Sequence, residues 1–150
     1  MATMAQLDDD TLNTIAHQML ADYDAVDPGK IFADGLRLGI PDAWRVQTAV
    51  THLREQRGES VVGYKLGCVC DSNQQAMGLS HPVWGRLWSN EQHVDEAVLG
   101  KAAFANVALE AEFAVTLNSA VSPGHTSTKE ITSAIEAVYP VIEIHNKVMR

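Results

Sequence analysis

The chain has 150 residues, 46% of them hydrophobic and 20% charged, with 11 Lys and Arg against 19 Asp and Glu for a formal charge of −8. That size and apolar content suit one domain with a buried core, and the acidic balance argues against nucleic-acid or anionic-membrane partners, whose phosphates call for clustered Lys and Arg. No apolar run is long enough to cross a bilayer, the opening MATMAQLDDD has no basic segment leading into an apolar stretch, and the two cysteines, Cys68 and Cys70, could bridge only under strain, so a cytoplasmic protein is expected.

The acidic cluster Asp8, Asp9 and Asp10 suits the positive end of a first helix. Leu12, Ile15, Ala16, Met19, Leu20 and Tyr23 recur at helical steps until Pro28-Gly29. A second helix is predicted after Pro41-Asp42, with Val46, Ala49, Val50 and Leu53 on one face and Gly58 as its stop. The texture changes at Ser60. Val61, Val62, Tyr64, Leu66 and Val69 read as a buried strand broken by Gly63 and Gly67, and a short helix over 72–77 then leads through Gly78 and Pro82 to a strand containing Trp84, Leu87 and Trp88. From Val107 to Leu117 the alternation is strict: Leu109, Ala111, Phe113, Val115 and Leu117 face one way, Glu110, Glu112, Ala114 and Thr116 the other. Ser127 and Glu130 have capping-box spacing before a helix carrying Ile131, Ala134, Ile135 and Val138, which Pro140 should close. Val141 to Asn146 reads as a last strand. The expected class is α+β: an N-terminal helical part over about 1–58, then a mixed sheet over about 59–150, within one domain.

Three places concentrate chemistry. In Leu109-Glu110-Ala111-Glu112-Phe113 the two carboxylates stand roughly 6.5–7 Å apart on one strand face, and could lean toward a shared cation or simply face water. Glu143 sits in an otherwise apolar strand, where a buried carboxylate needs a cation or strong donors, although an edge strand could turn it to solvent. Carboxylates from two strands would make an oxygen-rich site favouring Mg²⁺ or Mn²⁺ over Zn²⁺. His145 shares the face of Glu143, as a further ligand, a donor to one, or a structural residue. Lys65 lies between Gly63 and Gly67, where it could hold a substrate carboxylate or enolate, or snorkel from a sheet edge. Cys68 and Cys70 lack zinc-site spacing and read as small buried hydrophobes; Trp84 and Trp88 read as core.

These residues resemble the 2-keto-4-pentenoate hydratase group of the fumarylacetoacetate hydrolase superfamily. Pro41-Asp42-Ala43-Trp44-Arg45-Val46-Gln47 is similar to that family's "DAY-x-VQ" helix, Val62-Gly63-Tyr64-Lys65-Leu66-Gly67 to its "VGYKIG" strand, and Met77 to Gly85 to its "LGVDQPDFG" turn. Glu110-Ala111-Glu112 is similar to its Glu-x-Glu metal motif, and Val141-Ile142-Glu143-Ile144 to the strand with the third metal carboxylate. The five stretches occur in the family's order and cover nearly the whole chain from the first helix onward.

The resemblance implies Mg²⁺ or Mn²⁺ on Glu110, Glu112 and Glu143, and the first part of a β-sandwich. It implies a small 2-hydroxy or 2-oxo dienoic acid as substrate, hydrated to a 4-hydroxy-2-oxo acid. Lys65 would bind or protonate the enolate system, and Tyr64 and Ser80 would contact substrate. Where the family's turn carries an acid this chain has Ser80 followed by His81, which leaves His81 to take over proton transfer. Family members are longer, and strands beyond position 150 complete their sandwich. An uncovered sheet edge here predicts a homodimer or higher homo-oligomer. Two alternatives stand beside the hydratase: a 2-oxo-acid decarboxylase of the same superfamily, and a catalytically silent homologue serving as an interaction module.

Overall fold

The computed structural model describes residues 6–121 and 127–146; the opening five residues, where no leader was expected, lie outside them. Helices come first and strands later, an α+β order. The chain divides into two compact units at Leu99 and Gly100, beyond the change of texture at Ser60.

The first unit begins with α1 (Asp9–Asp24), whose N-cap is Asp8. The Asp8 carboxylate accepts hydrogen bonds from the Thr11 backbone and hydroxyl, both at 2.8 Å, and Asp9 and Asp10 sit where the helix dipole favours negative charge. Helix α2 (Ile40–Gln56) starts after Gly39 with Pro41 in its first turn, and ends at Arg57 before Gly58, whose φ of +92° a side chain would strain. Leu12 and Ile15 of α1 meet Val46 of α2 in the core, flanked by Met19, Leu36, Ala49 and Val50.

Strand β1 (Val61–Gly67), helix α3 (Asp71–Met77) and strand β2 (Val83–Trp88) follow, with β1 and β2 paired antiparallel. A polar pin holds the helices to this ribbon. The buried Arg54 of α2 bonds Glu59 and Glu91, each at 2.5 Å, and its guanidinium lies 4.1 Å from the centre of the Trp88 ring and 5.2 Å from that of Tyr23. The Tyr23 hydroxyl donates to Glu91 at 2.5 Å; burial and that carboxylate push its pKa up to about 12. Nearby, Trp44 stacks on Trp84 at 5.1 Å, while Gln47 donates to the Trp84 carbonyl and accepts from Arg86. Trp88 is buried as expected, whereas Trp84 keeps an exposed edge.

The second unit holds β3 (Val107–Leu117), α4 (Thr128–Ala134) and β4 (Ile135–Asn146), with β3 and β4 antiparallel along nearly their whole length. The Ser127–Glu130 capping box forms as its spacing predicts.

Four expectations change. The helix thought to run to Pro140 stops at Ala134, and β4 already begins at Ile135, because Ile135 to Pro140 finds a partner strand in 113–117. Pro140 is accommodated opposite Phe113; an outer strand tolerates the missing N–H. The strands pair as two separate antiparallel ribbons where one mixed sheet was expected, since alternation specifies faces but not partners. The apolar side chains of β1 are not buried: Val62, Tyr64 and Leu66 share an exposed face, with Lys65 on the other. Nor are the cysteines buried, Cys68 being half-exposed and Cys70 exposed.

Candidate metal centre

The register of β3 on β4 puts Glu110 directly opposite Glu143 and Ala108 opposite His145. Two-residue alternation therefore sends Ala108, Glu110 and Glu112 to one face together with Val141, Glu143 and His145. Like charges directly opposite across a ribbon repel. Into this pair comes the imidazole of His145, with Nε2 3.2 Å from Glu110 Oε1 and 3.4 Å from Glu143 Oε1. One donor atom from each of the three residues lies within 4.8 Å of the others, a convergence that can hold a metal ion. His145 Nε2 is itself shut off from solvent and makes no hydrogen bond. A buried polar atom left unsatisfied between two carboxylates is what a bound cation would explain, so these residues fit a divalent ion.

Glu112, expected as a ligand beside Glu110, shares the face one pleat further along, opposite Val141, and stands outside the group of three. His145 is the third member of the converging group. Its signal was present in the sequence as the i, i+2 spacing from Glu143, but only the register shows that it leans diagonally toward Glu110.

The remaining expected site residues lie in the first unit. Lys65 is half-buried on the face of β1 that also carries Gly63 and Gly67, opposite Gly85. A Cβ at Gly85 would sit 3.4 Å from the Lys65 stem, so this glycine gives the lysine room to lie across the ribbon. Tyr64 projects from the opposite, exposed face and meets Trp84 edge-on at 5.7 Å. Ser80 and His81 are exposed in the turn after α3, whose C-cap Gly78 has a φ of +67°. His81 Nδ1 is 2.8 Å from the Pro82 carbonyl, an acceptor, so Nδ1 is the donor of this bond. The structure thus brings Glu110, Glu143 and His145 together, and sets Tyr64 and Lys65 on opposite sides of one strand.

No protein-family model matches the chain. Among curated proteins, it is 27% identical over 125 residues to a 4-oxalocrotonate decarboxylase of Pseudomonas putida, covering 83% of this chain and 47% of that protein. It is 28% identical over 127 residues to a 2-keto-4-pentenoate hydratase of Paraburkholderia xenovorans (strain LB400), covering 81% and 47%. The chain therefore spans about half the length of the curated relatives it matches. Its fold matches a structure of the 4-oxalocrotonate decarboxylase from Pseudomonas putida G7 in complex with magnesium and adipate, with a TM-score of 0.86 and 23% identity, over 96% of this chain and 55% of that one. The same enzyme with calcium and acetate matches equally well, at 0.86. In sequence the chain is similar to proteins named 2-keto-4-pentenoate hydratase and 4-oxalocrotonate decarboxylase, and it shares the fold of the latter.

Proposed function

We propose that the chain is a metal-dependent lyase of small 2-hydroxy or 2-oxo dienoic acids, adding water to a substrate such as 2-hydroxypenta-2,4-dienoate to give a 4-hydroxy-2-oxo acid. The observation that carries this reading is the convergence of Glu110, Glu143 and His145 on one face of the β3–β4 ribbon. Relatives named hydratase or decarboxylase support it, as do magnesium and calcium in the structures of a fold relative.

Glu110 and Glu143 would hold the divalent ion, and Glu112, on the same face of the ribbon, is proposed on the resemblance as the remaining carboxylate ligand. The ion would supply Lewis acidity toward the substrate's 2-oxygen. Lys65 would offer its ammonium to the substrate carboxylate or to the negative charge that develops on the enol oxygen. During hydration a proton leaves the 2-hydroxyl and another arrives at C5, which moves the remaining double bond into conjugation with the new 2-oxo group. Water then adds at C4 and a proton at C3. His81, with Nδ1–H committed to the Pro82 carbonyl, would take or give a proton through Nε2. Tyr64 and Ser80 are proposed as substrate contacts on the resemblance.

The decarboxylase reading shares the same metal centre and is favoured by the decarboxylase relatives; it differs in losing a substrate carboxylate as CO₂. The test is turnover by the Mg²⁺-loaded protein of 2-hydroxypenta-2,4-dienoate, followed by loss of dienoate absorbance, beside CO₂ release from 4-oxalocrotonate. Hydration without CO₂ release, abolished by Glu110→Ala, is the expected result. CO₂ release alone would transfer the assignment to decarboxylation. A protein that binds metal and turns over neither acid would be the silent homologue.

A further inference from the structure

We infer that His145 is itself a ligand of the metal centre, so that the centre offers an imidazole nitrogen beside its carboxylate oxygens and selects Mn²⁺ over Mg²⁺. This rests on the metal-centre reading above and adds to it an identity for the third donor and a preference among ions.

Three observations converge. The first is spacing. Around an octahedral ion with bonds of about 2.1–2.2 Å, neighbouring donors stand roughly 3.0 Å apart, and the Nε2 separations of 3.2 Å from Glu110 Oε1 and 3.4 Å from Glu143 Oε1 lie close to that edge length. The second is the surroundings of the nitrogen. Nε2 is shut off from solvent and makes no hydrogen bond, although an oxygen of each carboxylate lies near it. An ion held among the three donors accounts for this arrangement. The third is the strand register: the residue opposite His145 is Ala108, whose methyl group leaves the imidazole free to lean diagonally toward Glu110.

The consequence is chemical. Mg²⁺ is a hard ion that binds through one or two carboxylates and keeps its remaining water, whereas imidazole nitrogen favours first-row transition ions. An imidazole nitrogen beside the carboxylate oxygens therefore tilts the centre away from Mg²⁺.

The experiment uses the metal-free full chain reloaded with Mn²⁺. Pulsed electron paramagnetic resonance should show ¹⁴N modulation from a bound imidazole, lost in His145→Gln, which keeps the side chain's bulk. Competition by thermal shift should show His145→Gln lowering Mn²⁺ affinity at least tenfold while changing Mg²⁺ affinity less than threefold. His145→Asn repeats both measurements should the glutamine variant not fold. Mn²⁺ that binds in a Glu110-dependent way without nitrogen modulation would overturn the assignment of His145 and leave the metal-centre reading intact. Absence of any Glu110-dependent Mn²⁺ or Mg²⁺ binding would overturn both.

Discussion

Glu110 and Glu143 face each other across the β3–β4 ribbon, and their repulsion makes the metal-free ribbon sensitive to either charge. Glu110→Ala should leave the metal-free protein as stable or slightly more so, by a few tenths of a kcal/mol, and should abolish the rise in melting temperature on adding Mg²⁺ or Mn²⁺. In the wild-type chain that rise should correspond to about 2.7 kcal/mol at a hundredfold excess of metal over Kd, because the ion binds only the folded state. Unfolding followed by circular dichroism, with and without metal, checks both. Tyr23 provides a second test. Its folded pKa of about 12 lies above the ordinary 10.0, so the protonated hydroxyl is favoured in the folded state. That contribution is complete below pH 10 and is lost as pH rises toward about 12. Spectrophotometric titration should show one tyrosine ionising near pH 12, absent in Tyr23→Phe.

At the scale of elements, Arg54 is the residue on which the packing of α2 against the β1–β2 ribbon turns. Its side chain is 8% exposed and that of Glu59 11%. Arg54→Met should cost about 3 kcal/mol in denaturant unfolding, since it leaves a buried carboxylate short of its partner. Ser127→Ala removes one half of the capping box and should lower local protection of α4 in hydrogen exchange by about 1 kcal/mol. Helix starts were legible in the sequence wherever a cap marked them, as at Asp8 and Ser127. The α4–β4 boundary was not: Ile135 and Val138 fit a helical stripe as well as an alternating strand, and the choice went to the strand because residues 113–117 were there to pair with it.

For the molecule as a whole, the notable surface is the apolar face of the β3–β4 ribbon, where Leu109, Phe113, Val115, Val138 and Ile142 are all exposed, Phe113 by 77%. Such a face favours association. The chain should run above the mass of a single copy in light scattering, and Phe113→Lys should shift it toward that of one copy while metal-induced stabilisation persists. A wild-type chain of single-copy mass at working concentration would remove the expectation of self-association. Among the described residues no helix is long and apolar enough to cross a membrane.

Outside the stretch 135–140, local patterning was enough to determine which residues form helices and strands and which side chains share a face, because caps and periodicities of two or 3.6 act over a few neighbours. It placed Glu110, Glu112 and Glu143 on strands and Lys65 between glycines. Tertiary structure alone decided that Glu110 lies opposite Glu143, that His145 and not Glu112 completes the converging group, and that Tyr64 and Lys65 look in opposite directions. Register is a property of two strands far apart in the chain, and a shift of one residue would turn every one of these side chains to the other face.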